Sequence, residues 1–233
     1  MSYLDIGEDK LHLAVAQSAD DLVLESRSQV ASRFIEGRVC ERCNNGWMND
    51  LEGEAMEILK PLIAGTMPLV SISDEERTIV AKWATKTAYV MSYAVPLKKT
   101  PEPSHLRYVK ENKGAVPSRV GVFGGQNIAT ADFRQIQRNS WYHLTNTQPT
   151  TRIPPVGTYK IAFQFRHLML LVAHWAGSDS ELMLATGIHI PLWPQRQVNI
   201  AYHMRLPPLD MGDPMAPLDR FSGTLGVCDA DFS

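Results

Sequence analysis

The chain has 233 residues with a formal net charge of −2, 44% hydrophobic and 21% charged residues, and 15 each of Gly and Pro. That composition excludes a disordered or fibrous chain and leaves room for a sizeable core in one large or two small domains. The near-neutral total excludes uniform coating of nucleic acid or anionic lipid, yet eleven Lys and Arg face only three acids between residues 98 and 172. This basic stretch is read first as solvated faces of strands and second as a phosphate-facing surface.

Three cysteines, two of them in a single C-x-x-C, do not form the dispersed even set of a secreted disulfide framework, which fits a reducing compartment. The first ten residues have neither the basic nor the apolar segment of a signal peptide, and no apolar run reaches the length of a membrane span. A cytoplasmic protein without membrane contact is expected.

In chain order, residues 1–39 mix short apolar runs with acids and end in a strand or hairpin approaching Cys40. From Asn44 or Asn45, the positions Trp47, Met48, Leu51, Ala55, Ile58, Leu59 and Leu62 recur at helical spacing, with Asn as the N-cap and Gly65 as the stop. Ser73 and Glu76 have the spacing of a capping box, and Ile79, Val80, Trp83, Thr87, Val90 and Met91 share one face of a second helix ending before Pro96.

After a Pro-bearing linker at 96–103, β-like runs are expected at 105–110, 119–123, 141–145, 159–175 and 182–190, the fourth as a bent strand or a strand pair. Gly121–Gly125 has no phosphate-loop Lys and is read as a turn between strands. From 191 the chain is rich in Pro and is expected to run as an extended tail. The fold class is therefore α+β: a two-helix module over 1–95, the linker, a mainly antiparallel β domain over 104–190 and the tail over 191–233.

One segment carries chemistry. Two thiolates separated by two residues converge from a tight turn on one Zn²⁺, but a closed structural site needs four ligands, so Cys40 and Cys43 are a half-site. A redox reading is weaker, because a thioredoxin-like dithiol would follow a strand in a βαβ pattern. Cys228 and His12 are candidates to complete the site, as is a second copy of the chain giving two more cysteines. His143, His167, His174, His189 and His203 lack ligand spacing and are read as structural, and Trp83, Trp141, Trp175 and Trp193 as core anchors.

The run Val39-Cys-Glu-Arg-Cys-Asn-Asn-Gly-Trp-Met-Asn-Asp-Leu-Glu52, extended through Leu59–Gly65 to Ala81–Ala88, resembles bacterial and phage HNH-endonuclease-like proteins. The resemblance covers roughly residues 28–95 and implies a ββα-metal element that hydrolyses DNA phosphodiesters. It places Cys40 and Cys43 as the second ligand pair of a structural zinc knuckle. Asn44 falls at the helix-borne ligand of a catalytic divalent ion such as Mg²⁺.

The family pattern also has a first C-x-x-C and a Glu-His pair on the N-terminal side, whereas residues 1–39 contain no Cys and one His, His12, with no Glu before it. The general base is therefore expected from an upstream segment or a partner chain, or else cleavage has been given up for nucleic-acid or protein binding. On this reading Arg42, Lys98, Lys99, Arg107, Lys110, Lys113 and Arg119 would contact DNA phosphates.

Overall fold

Two strands, a block of helices and then a run of strands follow one another along the chain, and the helical block covers one face of a large sheet. The computed structural model describes residues 10–16, 23–30, 39–94, 101–128, 133–138, 141–143, 150–178, 180–184, 189–194 and 216–229. Lys98, Lys99 and His203 lie outside the described residues, as does most of the linker. Strands β1 (Lys10–Ala16) and β2 (Val23–Val30) form an antiparallel pair. The side chains of β1, including His12, also lie outside the description.

The helical segment starts earlier than the expected Asn cap. Cys40 caps a single turn, α1 (Glu41–Cys43), a π-type turn follows over Asn44–Met48, and α2 runs over Asn49–Ile63. Gly46 leaves helical geometry (φ −105°, ψ −123°) and sets the kink between turn and helix. Gly65, at φ 71°, stops α2 as its sequence position suggested, since a left-handed residue after the last turn favours glycine.

The capping box forms: Ser73 N–H donates to Glu76 Oε2 at 2.7 Å and Glu76 N–H to Ser73 Oγ at 3.2 Å, opening α3 (Asp74–Ala94). Residues 84–89 of α3 are buried all round, because this helix lies between α2 and the sheet.

Residues 105–110 are helical rather than extended, and belong to α4 (Pro103–Glu111). Tyr108 and Val109 favour strands, but Pro103 starts a helix without losing a hydrogen bond, and Leu106 and Val109 stand three apart on the inward face.

Gly121–Gly125 is likewise not a turn but the interior of β3 (Val120–Gln126). The remaining strands are β4 (Arg134–Arg138), β5 (Trp141–His143), β6 (Thr150–Arg152), β7 (Tyr159–Phe165), β8 (Leu168–His174), β9 (Ser180–Leu184) and β10 (Ile190–Trp193). The long apolar run 159–175 is thus a strand pair, β7 and β8. The tail is not wholly extended: it holds α5 (Ala216–Gly223) and β11 (Leu225–Asp229).

The architecture is α+β with mainly antiparallel pairing. Seven strands run in the order β10-β3-β8-β7-β4-β1-β2, only β1 and β4 being parallel, and a second sheet runs β6-β5-β11-β9. One core packs α2 and α3 on alternate residues of the large sheet, including Val122, Ile161, Phe163 and Leu170. The other face, with Phe123, Leu171 and Ala173, meets Trp141, Phe221 and Val227 from α5 and the second sheet. The first core draws on residues from both sides of the 96–103 segment. No described helix is long and apolar enough to cross a membrane.

Candidate functional site

The turn over 40–48 presents its polar side chains outward because Met48 and the following Leu51 and Ala55 take the inward positions. Cys43 N–H donates to Cys40 Sγ at 3.2 Å, the role a Ser or Asp oxygen plays at other helix starts. Cys40 is exposed and Cys43 half-buried. The hydrogen bond with the Cys43 side chain, then the Cys43 amide, hold the Cys40 thiol below its ordinary value, and Lys110 and Arg42 add to this. Cys43 is pushed up by the same hydrogen bond and by burial.

Asn44 is exposed directly after the second cysteine, its Nδ2 donating to Asn45 Oδ1 at 3.4 Å. Helix α4 is brought against the turn by the loop that follows it. At Gly114 (φ 89°) a Cβ would stand 2.9 Å from Leu51 Cδ2 and 3.2 Å from the Trp47 ring, so only glycine allows this approach. Trp47 therefore packs beside the cysteine turn, and Arg107, Lys110 and Lys113 are exposed on or just after α4.

Of the expected basic surface, Lys98 and Lys99 lie outside the described residues. Arg42 and Lys110 gather at the cysteines, but Arg119 lies beside β3 and donates to the Gly177 carbonyl. Lys160 is fully buried, with Nζ donating to Leu225 O at 2.8 Å and standing 4.4 Å from the Trp141 ring. Arg152 stands 5.2 Å from the Trp175 ring and donates to Ser180 Oγ.

Between the turn, α3 and α4 lies a cleft of about 510 Å³, walled by Trp47, Met48, Val90, Tyr93 and Leu106 and reaching both cysteines. At its edge is Lys86, which sequence reading passed over. Its side chain is 6% exposed, and Nζ donates to Glu52 Oε1 at 2.5 Å. Burial pulls the Lys86 ammonium below its ordinary value, and Glu52 opposes that. Ala84, Thr85, Thr87 and Ala88 around it are buried too, a tertiary setting that conceals a lysine otherwise expected in solvent.

The donor set fits half of a structural zinc site. Cys40 and Cys43 are two soft ligands on one turn, and among the described residues no cluster of three or more His, Cys, Asp or Glu is placed to hold an ion. Cys228 lies in β11 of the second sheet, paired opposite Glu181. The histidines fall where a structural role places them: His143 bonds Asp229, His167 the Asn127 carbonyl, His174 the Arg119 carbonyl and His189 the Phe221 carbonyl. Comparison with family models, curated proteins and solved structures finds no match to the chain.

Proposed function

We propose that this chain is an HNH-endonuclease-like protein directed at DNA, and that by itself it carries the helix half of the metal module. In this reading Cys40 and Cys43 supply two of the four ligands of a structural zinc, and Asn44 one ligand to a catalytic divalent ion. The observation that carries it is the joint placement of both thiols and the Asn44 amide on one exposed turn, with Arg42 and Lys110 beside them. A divalent ion held there would polarise the scissile phosphate and stabilise the leaving oxygen.

What the chain's own residues do is limited and specific. Asn44 offers a neutral oxygen donor, Arg42, Lys110 and Lys113 attract backbone phosphates, and Trp47 fixes the turn on α2 and α4. The general base and the other zinc ligands come from a partner chain or from a segment outside the described residues. The second reading is a nuclease-derived nucleic-acid-binding or protein-interaction module without turnover. It is favoured by the engagement of His105, on the neighbouring α4, whose Nδ1 shares a hydrogen bond with Tyr159 OH at 3.0 Å.

Supercoiled plasmid separates the two. The nuclease reading expects salt-sensitive DNA binding by the chain, and Mg²⁺- or Mn²⁺-dependent nicking once a polypeptide bearing a C-x-x-C and a Glu-His strand is added. Asn44→Ala should abolish nicking and leave binding. Binding without nicking under every complement selects the module, and loss of both overturns the DNA assignment.

A further inference from the structure

The turn that offers Cys40 and Cys43 to a metal also arranges them as an exchange pair. Cys40 stands in extended backbone conformation at the head of the turn with its thiol in solvent, and Cys43 is half-buried behind it. Cys40 Sγ is folded over residue 43, close enough to accept its amide N–H at 3.2 Å, so the two cysteines sit on one turn with Cys40 Sγ turned back toward Cys43. Such a placement needs little backbone movement to reach disulfide geometry. The adjoining cleft gives a small molecule access to both sulfurs, and Arg42 and Lys110 set a positive field at its mouth.

We propose that Cys40 and Cys43 form a reversible dithiol–disulfide switch that reacts with small anionic disulfides of the glutathione class. The Cys40 thiolate attacks one sulfur of the incoming disulfide, a Cys40 mixed disulfide forms, and the first small thiolate leaves. The Cys43 thiol, losing its proton to solvent, then attacks Cys40 Sγ and expels the second. Two protein thiols are oxidised and one small disulfide is reduced to two thiols, so electrons balance without another reactant.

The order follows from access: an exposed sulfur meets the reagent, and a half-buried neighbour within bonding reach resolves it. The oxidised pair has no thiolate left for a metal, so the switch would disconnect the zinc half-site. That consequence rests on the metal reading above, whereas the exchange itself does not.

The test uses the reduced, chelator-treated full chain, oxidised glutathione, and peptide mapping by mass spectrometry over time. The wild type should form the Cys40–Cys43 disulfide while buried Cys228 stays reduced. Cys43→Ser should stop at a glutathione adduct on Cys40, and Cys40→Ser should slow adduct formation at Cys43 by about tenfold or more. Separate adducts on both cysteines without an internal disulfide would overturn the proposal. So would thiols that stay reduced in the folded chain yet react after denaturation. Repeating the series with Zn²⁺ separates the two readings: failure of zinc to protect the thiols counts against the metal site and leaves the exchange standing.

Discussion

Lys86 shows how one residue couples the interior to the site. Its ammonium is buried beneath the cleft, and Glu52, a third exposed, is the partner that makes that burial tolerable. Truncating the acid leaves a buried cation without its carboxylate, whereas removing the lysine leaves an acid that water reaches. Glu52→Ala should therefore cost about 1–3 kcal/mol, and Lys86→Met, which keeps the aliphatic stem, clearly less. Urea midpoints of the two variants check this, and equal shifts would contradict it.

At this scale the sequence was legible where a residue type has a single use. Ser73, Glu76 and Gly65 stand in the local roles their spacing indicated. Lys86 and Lys160 were not legible, because a lysine in a helix or a strand is exposed by default and only the tertiary packing of Trp141, α2 and α5 buries these two.

Helix α4 is held to the sheet by a chain of polar aromatic groups. Tyr89 and Tyr159 share a hydrogen bond of 2.5 Å, Tyr159 bonds His105, and the His105 and His174 rings stand 4.5 Å apart. Glu102 and Arg119 are the charged groups facing this cluster. Burial holds both histidines below their ordinary value of 6.5; for His105 the nearby His174 adds to this, while Glu102 opposes it at both.

The folded state therefore binds fewer protons than the unfolded one. Its stabilisation is complete above the unfolded value and is lost as the pH falls through the depressed folded values. Thermal unfolding should show a falling melting temperature from about pH 7 to about pH 5, with a flatter profile in His174→Gln. An unchanged slope in that variant would contradict the assignment. None of this network was legible beforehand, since 105–110 has strand-forming residues, and its helical character rests on Pro103 and on two inward positions that become visible only once a sheet lies beneath them.

The whole molecule is organised by β7 and β8, whose every residue is buried because both faces of the sheet are covered. That explains why β8 shows an unbroken apolar run over Leu168–Ala173 rather than alternation, while β7 also buries Lys160 and Gln164. It also explains close packing at Gly124 in β3, where a Cβ would come within 2.4 Å of buried Leu69 and 3.2 Å of Leu192. Gly124→Ala should destabilise the protein by about 1–3 kcal/mol through overpacking, read from the shift of the denaturation midpoint. No shift would show that the helical layer yields more easily than a packed core should.

The α+β class and mainly antiparallel pairing were legible from periodicity. The parallel pairing of β1 with β4, and α5 and β11 in the tail, were not, because they depend on partners far along the chain. The cysteine turn binds these scales together, since its two thiols are local, its setting against α4 is fixed by Trp47 and Gly114, and the proposed zinc site would need further donors. Cobalt titration of the reduced chain tests it most directly, because Co²⁺ substitutes for Zn²⁺ and its absorption reports thiolate ligation. A sulfur-to-cobalt band lost in both Cys40→Ser and Cys43→Ser is the expected result. A spectrum identical to that of the hydrated ion in the wild type would contradict the half-knuckle assignment.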